Sequence, residues 1–164
     1  MIDTRVWVED ELVRLVEIYS PSGEEGEILA YLKERLAALG LPVHEIPTPG
    51  GHENLVVGAA EPDLVLTAHV DTVVPIWHWP GKAVVRDGVL FGLGASDDKA
   101  GVVAALLALL LAREQGTDLD TLPVAAVLTV DEEDYGTGSM AVADALQPRW
   151  VIALEATGLA PGLA

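Results

Sequence analysis

The feature that most constrains this chain is the alternation of short apolar β-type runs with apolar helical stripes. The runs Leu64 to Ala68, Pro123 to Val130 and Trp150 to Leu154 predict strands, the last two of them buried. Lys99 to Glu114 and Thr137 to Leu146 lie between these strands and predict helices. Because strands separated by helices form sheets covered on both faces, the pattern predicts an α/β fold. We expect a mixed, mostly parallel sheet with helices on both faces.

The first forty residues predict two helices. Apolar side chains at three- and four-residue spacing predict the first helix from Trp7 to Tyr19. Ser22 precedes Glu25 by three positions, a capping-box pattern that predicts the start of the second helix. That helix is expected to end at Gly40.

Shorter β-type runs occupy the space between the helical segments. Val43 to Ile46 and Asn54 to Val57 predict two strands bounded by turn residues. Asp87-Gly88 separates Val84 to Arg86 from Val89 to Phe91, and this dipeptide favours a type I′ turn. The segment from 84 to 91 therefore predicts a β-hairpin.

Composition and charge exclude several classes of protein. The 164 residues are the size of one domain, and a hydrophobic content of 51% is enough to bury a core. The net charge of -17, with only 9 Lys and Arg residues, argues against nucleic acid or an anionic membrane as partner. Met1 to Arg5 lacks the start of a signal peptide, and the longest apolar run, Ala100 to Ala112, is too short to span a bilayer. We therefore expect a soluble, cytoplasmic protein.

Acidic or imidazole side chains follow three of the predicted strands at the point where each ends. His69 and Asp71 follow the first strand, Glu132 and Glu133 the second, and Glu155 the third. In open α/β sheets, ligands collect at the carboxyl ends of the strands. Because the chain has no cysteine, a transition-metal site would use His, Asp and Glu, which suits Zn, Co or Mn.

Each of these motifs also has an interpretation without a ligand. His69 can end a strand with an ordinary hydrogen bond, and Asp97 can cap the helix that follows a glycine turn. The run Asp131 to Asp134 can be a solvated loop, and Glu155 an exposed strand terminus.

The functional interpretation accounts for the same residues together. A metal-bound imidazole needs an acceptor for its second nitrogen, and a carboxylate two residues along an extended chain, as Asp71 is from His69, can supply it. A carboxylate at a helix start, here Asp97, can bridge two cations. Of two neighbouring glutamates, one can bind metal while the other accepts a proton from water. Each motif alone is weak, but the whole series, with each motif after a predicted strand or before a predicted helix, is specific for a metal site.

The same motifs resemble one family of two-metal hydrolases. The series Thr67 to Val73, Gly94 to Lys99, Asp131 to Glu133 and Glu155 to Thr157 resembles the aminoacylase, acetylornithine deacetylase, succinyl-diaminopimelate desuccinylase and glutamate carboxypeptidase family. The resemblance covers nearly the whole chain. It implies a zinc aminopeptidase- or carboxypeptidase-like catalytic domain.

The resemblance also implies a role for each site residue. His69 and Glu155 would hold one divalent metal ion, Asp97 would bridge, and Glu133 would hold a second ion. Zn is the favoured metal, with Co or Mn as alternatives. Glu132 would be the general acid and base, and Asp71 would orient His69. A cis peptide between Asp97 and the residue after it is implied as well.

Length sets this chain apart from the family, whose members carry a second, lid or dimerisation domain and a further metal-binding histidine. By the resemblance, residues 1–164 are a partial catalytic domain in which the lid is absent and the second metal site is incomplete. His44 and His52 are expected to be structural or solvated, and His78 to lie in a loop near the substrate.

Three functions follow from these features. The first is a metallo-amidohydrolase or peptidase that uses a metal-activated water to cleave an N-acyl amino acid or a short peptide. The alternative is a truncated fragment of such an enzyme that binds at most one metal and is inactive alone. A third interpretation is an α/β interaction module with solvated acids. Exposed sheet edges on a fragment also predict a homo-oligomer.

Overall fold

The structure, a computed structural model, describes residues 2–76 and 81–157. Its helices are α1 (Thr4–Glu17), α2 (Gly26–Ala38), α3 (Lys99–Glu114) and α4 (Thr137–Ala145). Its strands are β1 (Val43–Pro47), β2 (Glu53–Gly58), β3 (Leu64–His69), β4 (Val84–Arg86), β5 (Val89–Phe91), β6 (Val124–Thr129) and β7 (Trp150–Ala153). Over these two ranges no helix has both the length and the apolar character needed to cross a membrane.

The main sheet has five strands in the order β1-β2-β6-β3-β7. β6 pairs in parallel with β3, and β3 with β7, while β2 is antiparallel to both of its neighbours. Four of these five strands therefore run in the same direction, which confirms the mixed, mostly parallel sheet. As a result β3, β6 and β7 end at the same edge of the sheet.

Apolar side chains alternate between the two faces of the sheet, as the two-residue period of a strand requires. On one face, Ala126 and Leu128 of β6 pack with buried residues of α1, α2 and α3. On the other face, Ala125 and Val127 pack with Val142 of α4. Helices thus cover both faces, as predicted.

The hairpin of β4 and β5 lies outside the main sheet and has the predicted turn. Val84 pairs with Phe91, and Arg86 with Val89. Asp87 and Gly88 both have positive φ values, 53° and 77°. A type I′ turn requires this at both central positions, so the local chemistry of Asp-Gly is sufficient to form it.

Two expectations about the helices and strands are wrong. Ser22 does not cap α2, which begins after Glu25 with no side-chain hydrogen bond at its cap. The last strand forms, but all four residues of β7 are exposed, including Trp150 with 67% of its surface accessible. An apolar run predicts that a strand forms, but it does not determine whether another element of the fold packs against that strand. β7 has β3 on one side and no described strand on the other.

Candidate metal centre

His69, the last residue of β3, lies at the centre of the candidate site. Its side chain is 1% exposed. The ring atom Nε2 is 2.9 Å from Asp97 Oδ1 and 3.8 Å from Glu132 Oε2. The other ring nitrogen, Nδ1, is 3.1 Å from the carbonyl oxygen of Asp71 and 3.5 Å from its carboxylate. Oxygen atoms therefore surround both nitrogens of the imidazole.

The charges around His69 favour a positive charge at this position. Burial lowers the pKa of His69, but the hydrogen bond and charge of Asp71, with further contributions from Asp97 and Asp98, raise it to about 10. In the absence of a cation the imidazole therefore carries a proton at neutral pH. A divalent cation would take the place of that proton among the carboxylates.

Asp71 is fully buried and is held by two other segments of the chain. Ser22 Oγ donates a hydrogen bond of 2.6 Å to Asp71 Oδ2, and the amide of Glu133 donates to the same oxygen at 3.1 Å. Burial raises the pKa of Asp71, but the contacts with His69, Ser22 and the Glu133 amide lower it below its ordinary value. Asp71 is thus an ionised carboxylate with a fixed orientation beside the imidazole.

Ser22 is one of the residues that sequence reasoning missed. Its hydroxyl was assigned to the start of α2, whereas it contacts a carboxylate 49 positions away. The amide of Ser22 also donates to the carbonyl of Thr72 at 3.2 Å. A hydrogen bond between residues so far apart in the sequence cannot be predicted from the spacing of local motifs.

Asp97 and Asp98 precede α3 and are joined by a cis peptide, as the resemblance implied. Their side chains differ in exposure: that of Asp97 is 58% exposed, whereas Asp98 is fully buried. Asp98 Oδ2 accepts a hydrogen bond from the His69 amide at 3.3 Å, and its Oδ1 has no hydrogen-bond partner. Burial and the charge of Glu155 raise the pKa of Asp98 to about 7, although His69 opposes the shift.

Asp98 was not among the predicted ligands. Its position next to Asp97 was visible in the sequence, as was Gly101 three residues later. A side chain at Gly101 would place its Cβ 2.2 Å from Asp98 Oδ1. Gly101 therefore leaves the space that the buried carboxylate occupies.

Lys99, the first residue of α3, fixes the start of that helix against α1. It is 1% exposed, and its Nζ donates to the carbonyls of Leu15 at 3.0 Å and Ile18 at 2.9 Å. These carbonyls lie at the C-terminal end of α1, where helical carbonyl groups lack the usual amide four residues on; that of Leu15 also accepts from the amide of the C-cap Ile18 at 3.2 Å. Burial lowers the pKa of Lys99 to about 8. Its role is to hold the segment that carries Asp97 and Asp98.

The loop after β6 brings the remaining acids to the same edge. Asp131, with a φ of 58°, turns the chain, and its Oδ2 accepts a hydrogen bond of 3.1 Å from the amide of Thr137. Glu132 and Glu133 follow and face His69. Burial, and then the charge of Asp97, raise the pKa of Glu133, as expected where carboxylates crowd.

Two overlapping sets of ligand atoms can hold a cation. His69, Asp97 and Glu133 form one set, and His69, Asp98 and Glu155 form the other, with the atoms of each set within 4.8 Å of one another. All four predicted ligands thus lie around one imidazole. Glu155 is grouped with Asp98, however, and not with Asp97, the residue expected to bridge.

The side chains present fit a divalent transition metal. Imidazole nitrogen and carboxylate oxygen are the donors that Zn, Co and Mn accept. The buried Asp98 Oδ1 has no hydrogen-bond partner in the structure, so this carboxylate has an oxygen that is not already bonded to the chain. Burial also raises the pKa of Glu155, because it disfavours the ionised carboxylate, and a nearby cation would favour that ionised form.

The other histidines do not join this centre where they are described. His44 is an exposed residue of β1. His52 Nε2 is 3.3 Å from the carbonyl oxygen of Gly23 and 3.6 Å from Glu25 Oε2, a structural position. His78 lies outside the described residues.

Comparison with known proteins identifies a family. The profile of Peptidase family M20/M25/M40 matches residues 65–162. A putative [LysW]-lysine/[LysW]-ornithine hydrolase of Pyrococcus abyssi is 34% identical over 90% of this chain and 40% of its own length. A succinyl-diaminopimelate desuccinylase of Methylorubrum extorquens is 35% identical over 73% of this chain and 34% of its own length.

A solved structure has the same fold. The crystal structure of a tripeptidase from Staphylococcus aureus superposes with a TM-score of 0.76 at 32% identity, over 93% of this chain and 44% of that one. This chain therefore spans well under half the length of these three proteins.

Proposed function

Because the chain belongs to Peptidase family M20/M25/M40, we propose that it carries the metal centre of a metal-dependent amidohydrolase or peptidase. The observation that supports this most directly is the convergence of ligands from three strand ends and a helix start on His69, with each set of ligand atoms within 4.8 Å. Carboxylates gathered in this way repel one another unless a cation is bound among them.

His69, Asp97, Glu133 and Glu155 are the proposed ligands, and the buried Asp98 is added to them. When bound, divalent cations polarise the scissile carbonyl and make a water molecule a stronger acid. Asp71 keeps the His69 ring in one orientation, since its carbonyl and carboxylate oxygens both face Nδ1. The ring's Nε2 is then left to face the ligand set.

Glu132 is the proposed general acid and base. Its Oε2 is 3.8 Å from His69 Nε2, and its side chain is 44% exposed, so water and substrate can reach it. It would accept a proton from the attacking water at a carboxylate oxygen and pass it to the departing amine nitrogen. Its neighbour Glu133 is grouped with the metal ligands, which leaves Glu132 free for proton transfer.

The proposed substrate is an N-acyl amino acid or a short peptide. The names of the relatives support this class, since they describe a desuccinylase, a tripeptidase and a putative [LysW]-lysine/[LysW]-ornithine hydrolase. Zn is the proposed metal, with Co or Mn as alternatives, because all three accept the nitrogen and oxygen donors present. We also propose a cytoplasmic location, self-association as a homo-oligomer, and a catalytic domain of which this chain is one part.

A second candidate is a chain that binds one cation and is inactive alone. The observation in its favour is that both ligand sets depend on the same His69. One imidazole nitrogen holds one cation, so two ions bound at once would have to divide the carboxylates unequally or share an added ligand.

Metal analysis and hydrolysis assays distinguish the two candidates. After dialysis against Zn²⁺, about two bound equivalents would support the enzyme and about one the inactive chain. Hydrolysis of acetylated amino acids and tripeptides should be measured with and without added Zn²⁺ or Co²⁺. Glu132→Ala should abolish hydrolysis and retain the metal, with the exposed Asp134→Ala as its control. Loss of metal together with activity in Glu132→Ala would contradict the division of roles between Glu132 and Glu133.

A further inference from the structure

The loop of residues 131–134 has to hold four consecutive acids in a fixed place. Mutual repulsion favours an open, solvated conformation for such a run. Its first residue, Asp131, adopts a left-handed conformation with a φ of 58°, which is uncommon for a residue other than glycine. The loop therefore needs contacts from outside itself to keep Glu132 and Glu133 facing His69.

One such contact comes from Glu25, the residue before α2. Glu25 is fully buried, and its Oε1 accepts a hydrogen bond of 3.0 Å from the backbone amide of Asp131. Its Oε2 has no hydrogen-bond partner and lies 3.6 Å from His52 Nε2. Burial of a carboxylate costs free energy unless hydrogen bonds compensate for the lost contacts with water. Here the compensating bond comes from the loop that carries the proposed base.

The same short segment also contacts the other loop of the site. Ser20 Oγ donates to the carbonyl of Val70 at 2.9 Å, and the amide of Thr72 donates to the carbonyl of Ser20 at 2.9 Å. Ser22 donates to Asp71 at 2.6 Å. Residues 20–25 thus bind the loop after β3 through their serines and the loop after β6 through Glu25.

We propose that Glu25 is a positioning residue of the metal centre: its carboxylate holds the Asp131 amide and so sets Glu132 and Glu133 relative to His69. This inference rests on the proposed function, because those glutamates are the proposed base and ligand. Glu25 acts through a backbone hydrogen bond and not through its charge. Loss of a group that is hydrogen-bonded directly to a ligand typically changes metal affinity by about 10- to 100-fold. Because Glu25 contacts the backbone of the loop and not a ligand side chain, we expect the lower end of that range.

Two conservative variants separate the hydrogen bond from the charge. Glu25→Gln keeps the length of the side chain and an oxygen for the Asp131 amide, but it removes the charge. Glu25→Asp keeps the charge and shortens the reach by one methylene group. The matched control is Glu24→Ala, which removes the exposed carboxylate next to Glu25.

The readouts are the dissociation constant for Zn²⁺ by calorimetric titration and the visible absorption spectrum of the Co²⁺-saturated chain. For Glu25→Asp we expect a Zn²⁺ dissociation constant at least about 10-fold higher and an altered Co²⁺ spectrum. Glu25→Gln and Glu24→Ala should match the wild type in both. Urea unfolding of the metal-free variants tests for a purely structural role, which would lower stability and leave the Co²⁺ spectrum at saturation unchanged.

The outcomes are distinct. Wild-type affinity and spectrum in Glu25→Asp would overturn this inference and leave the proposed function standing. Weak binding in Glu25→Gln with normal binding in Glu25→Asp would overturn it as well, because charge would then be the cause. A wild-type chain that fails to bind Zn²⁺ would overturn the proposed function together with this inference.

Discussion

Asn54 offers the sharpest test of how the acidic loop is attached to the sheet. It belongs to β2 and is fully buried. Its Oδ1 accepts a hydrogen bond from the Val130 amide at 3.1 Å, and its Nδ2 donates to the carbonyl of Gly138 at 2.9 Å. One amide side chain thus satisfies a backbone group on each side of residues 131–134.

Asn54→Ala would leave the Val130 amide buried without a partner, whereas the Gly138 carbonyl would lose one hydrogen bond and keep its bond within α4. The unsatisfied amide costs about 1–3 kcal/mol and the lost second bond about 0.5–1.5 kcal/mol, and entry of a water molecule into the vacated space would recover part of that. We therefore expect the free energy of unfolding to fall by about 3 kcal/mol. For a chain of this size, such a loss corresponds to a fall in Tm of about 6–12 °C.

Urea unfolding of the metal-free chain, followed by circular dichroism, measures this change. Gln147→Ala is the matched control, because it also removes an amide that donates to a backbone carbonyl, that of Ala143, but at an exposed position. Its effect should stay within about 0.5 kcal/mol. A loss of less than about 1 kcal/mol for Asn54→Ala, or equal losses for the two variants, would refute this account of the loop.

Three further variants test other parts of the structure. Ser22→Ala removes the 2.6 Å bond to Asp71 and should raise the Zn²⁺ dissociation constant about 10-fold, whereas the exposed Ser139→Ala should not; equal affinities would contradict this role. Gly101→Ala in α3 should lower the free energy of unfolding in urea, because the new Cβ would lie 2.2 Å from Asp98 Oδ1. Ala is normally favoured over Gly in a helix by about 1 kcal/mol, so a gain in stability would contradict this account of Gly101. Ile152→Lys on the exposed strand β7 should reduce self-association in sedimentation velocity, and an unchanged distribution would argue against pairing through this edge.

Elements formed by local chemistry were predictable from the sequence. Lys99–Glu114 forms the helix expected from its apolar stripe, with the same bounds. Asp87-Gly88 makes the expected turn, because two residues suffice to determine its backbone. The order of strands and helices was enough to predict that β3, β6 and β7 would end at one edge of the sheet.

Contacts between distant segments were not predictable in the same way. Ser22 had a plausible local role at the start of α2, and Asp71, 49 residues later in the chain, takes its hydroxyl instead. Glu25 was read as part of the same capping box, yet it binds the Asp131 amide, 106 positions away. In both cases the sequence offered a hydrogen-bond partner a few residues away, whereas in the fold the side chain bonds a residue from a distant segment.

The exposure of the site carboxylates follows from how each one is held. Asp71 and Asp98 are fully buried and accept hydrogen bonds from the chain, from Ser22 and Glu133 in one case and from the His69 amide in the other. Asp97 and Glu132, in contrast, are 58% and 44% exposed beside the imidazole. The inner acids are thus positioned by the polypeptide alone, whereas the outer acids have the freedom to adjust to what they bind.

This division predicts the order in which a cation would organise the centre. The set that contains the buried Asp98 has one exposed carboxylate to immobilise on binding, that of Glu155. The set that contains Asp97 and Glu133 has two, so its ordering costs more conformational free energy. The first equivalent of Zn²⁺ should therefore be lost in Asp98→Asn and retained in Asp97→Asn. Calorimetric titration of the two variants measures this difference, and the reverse order would show that the bridging carboxylate, not the buried one, determines affinity.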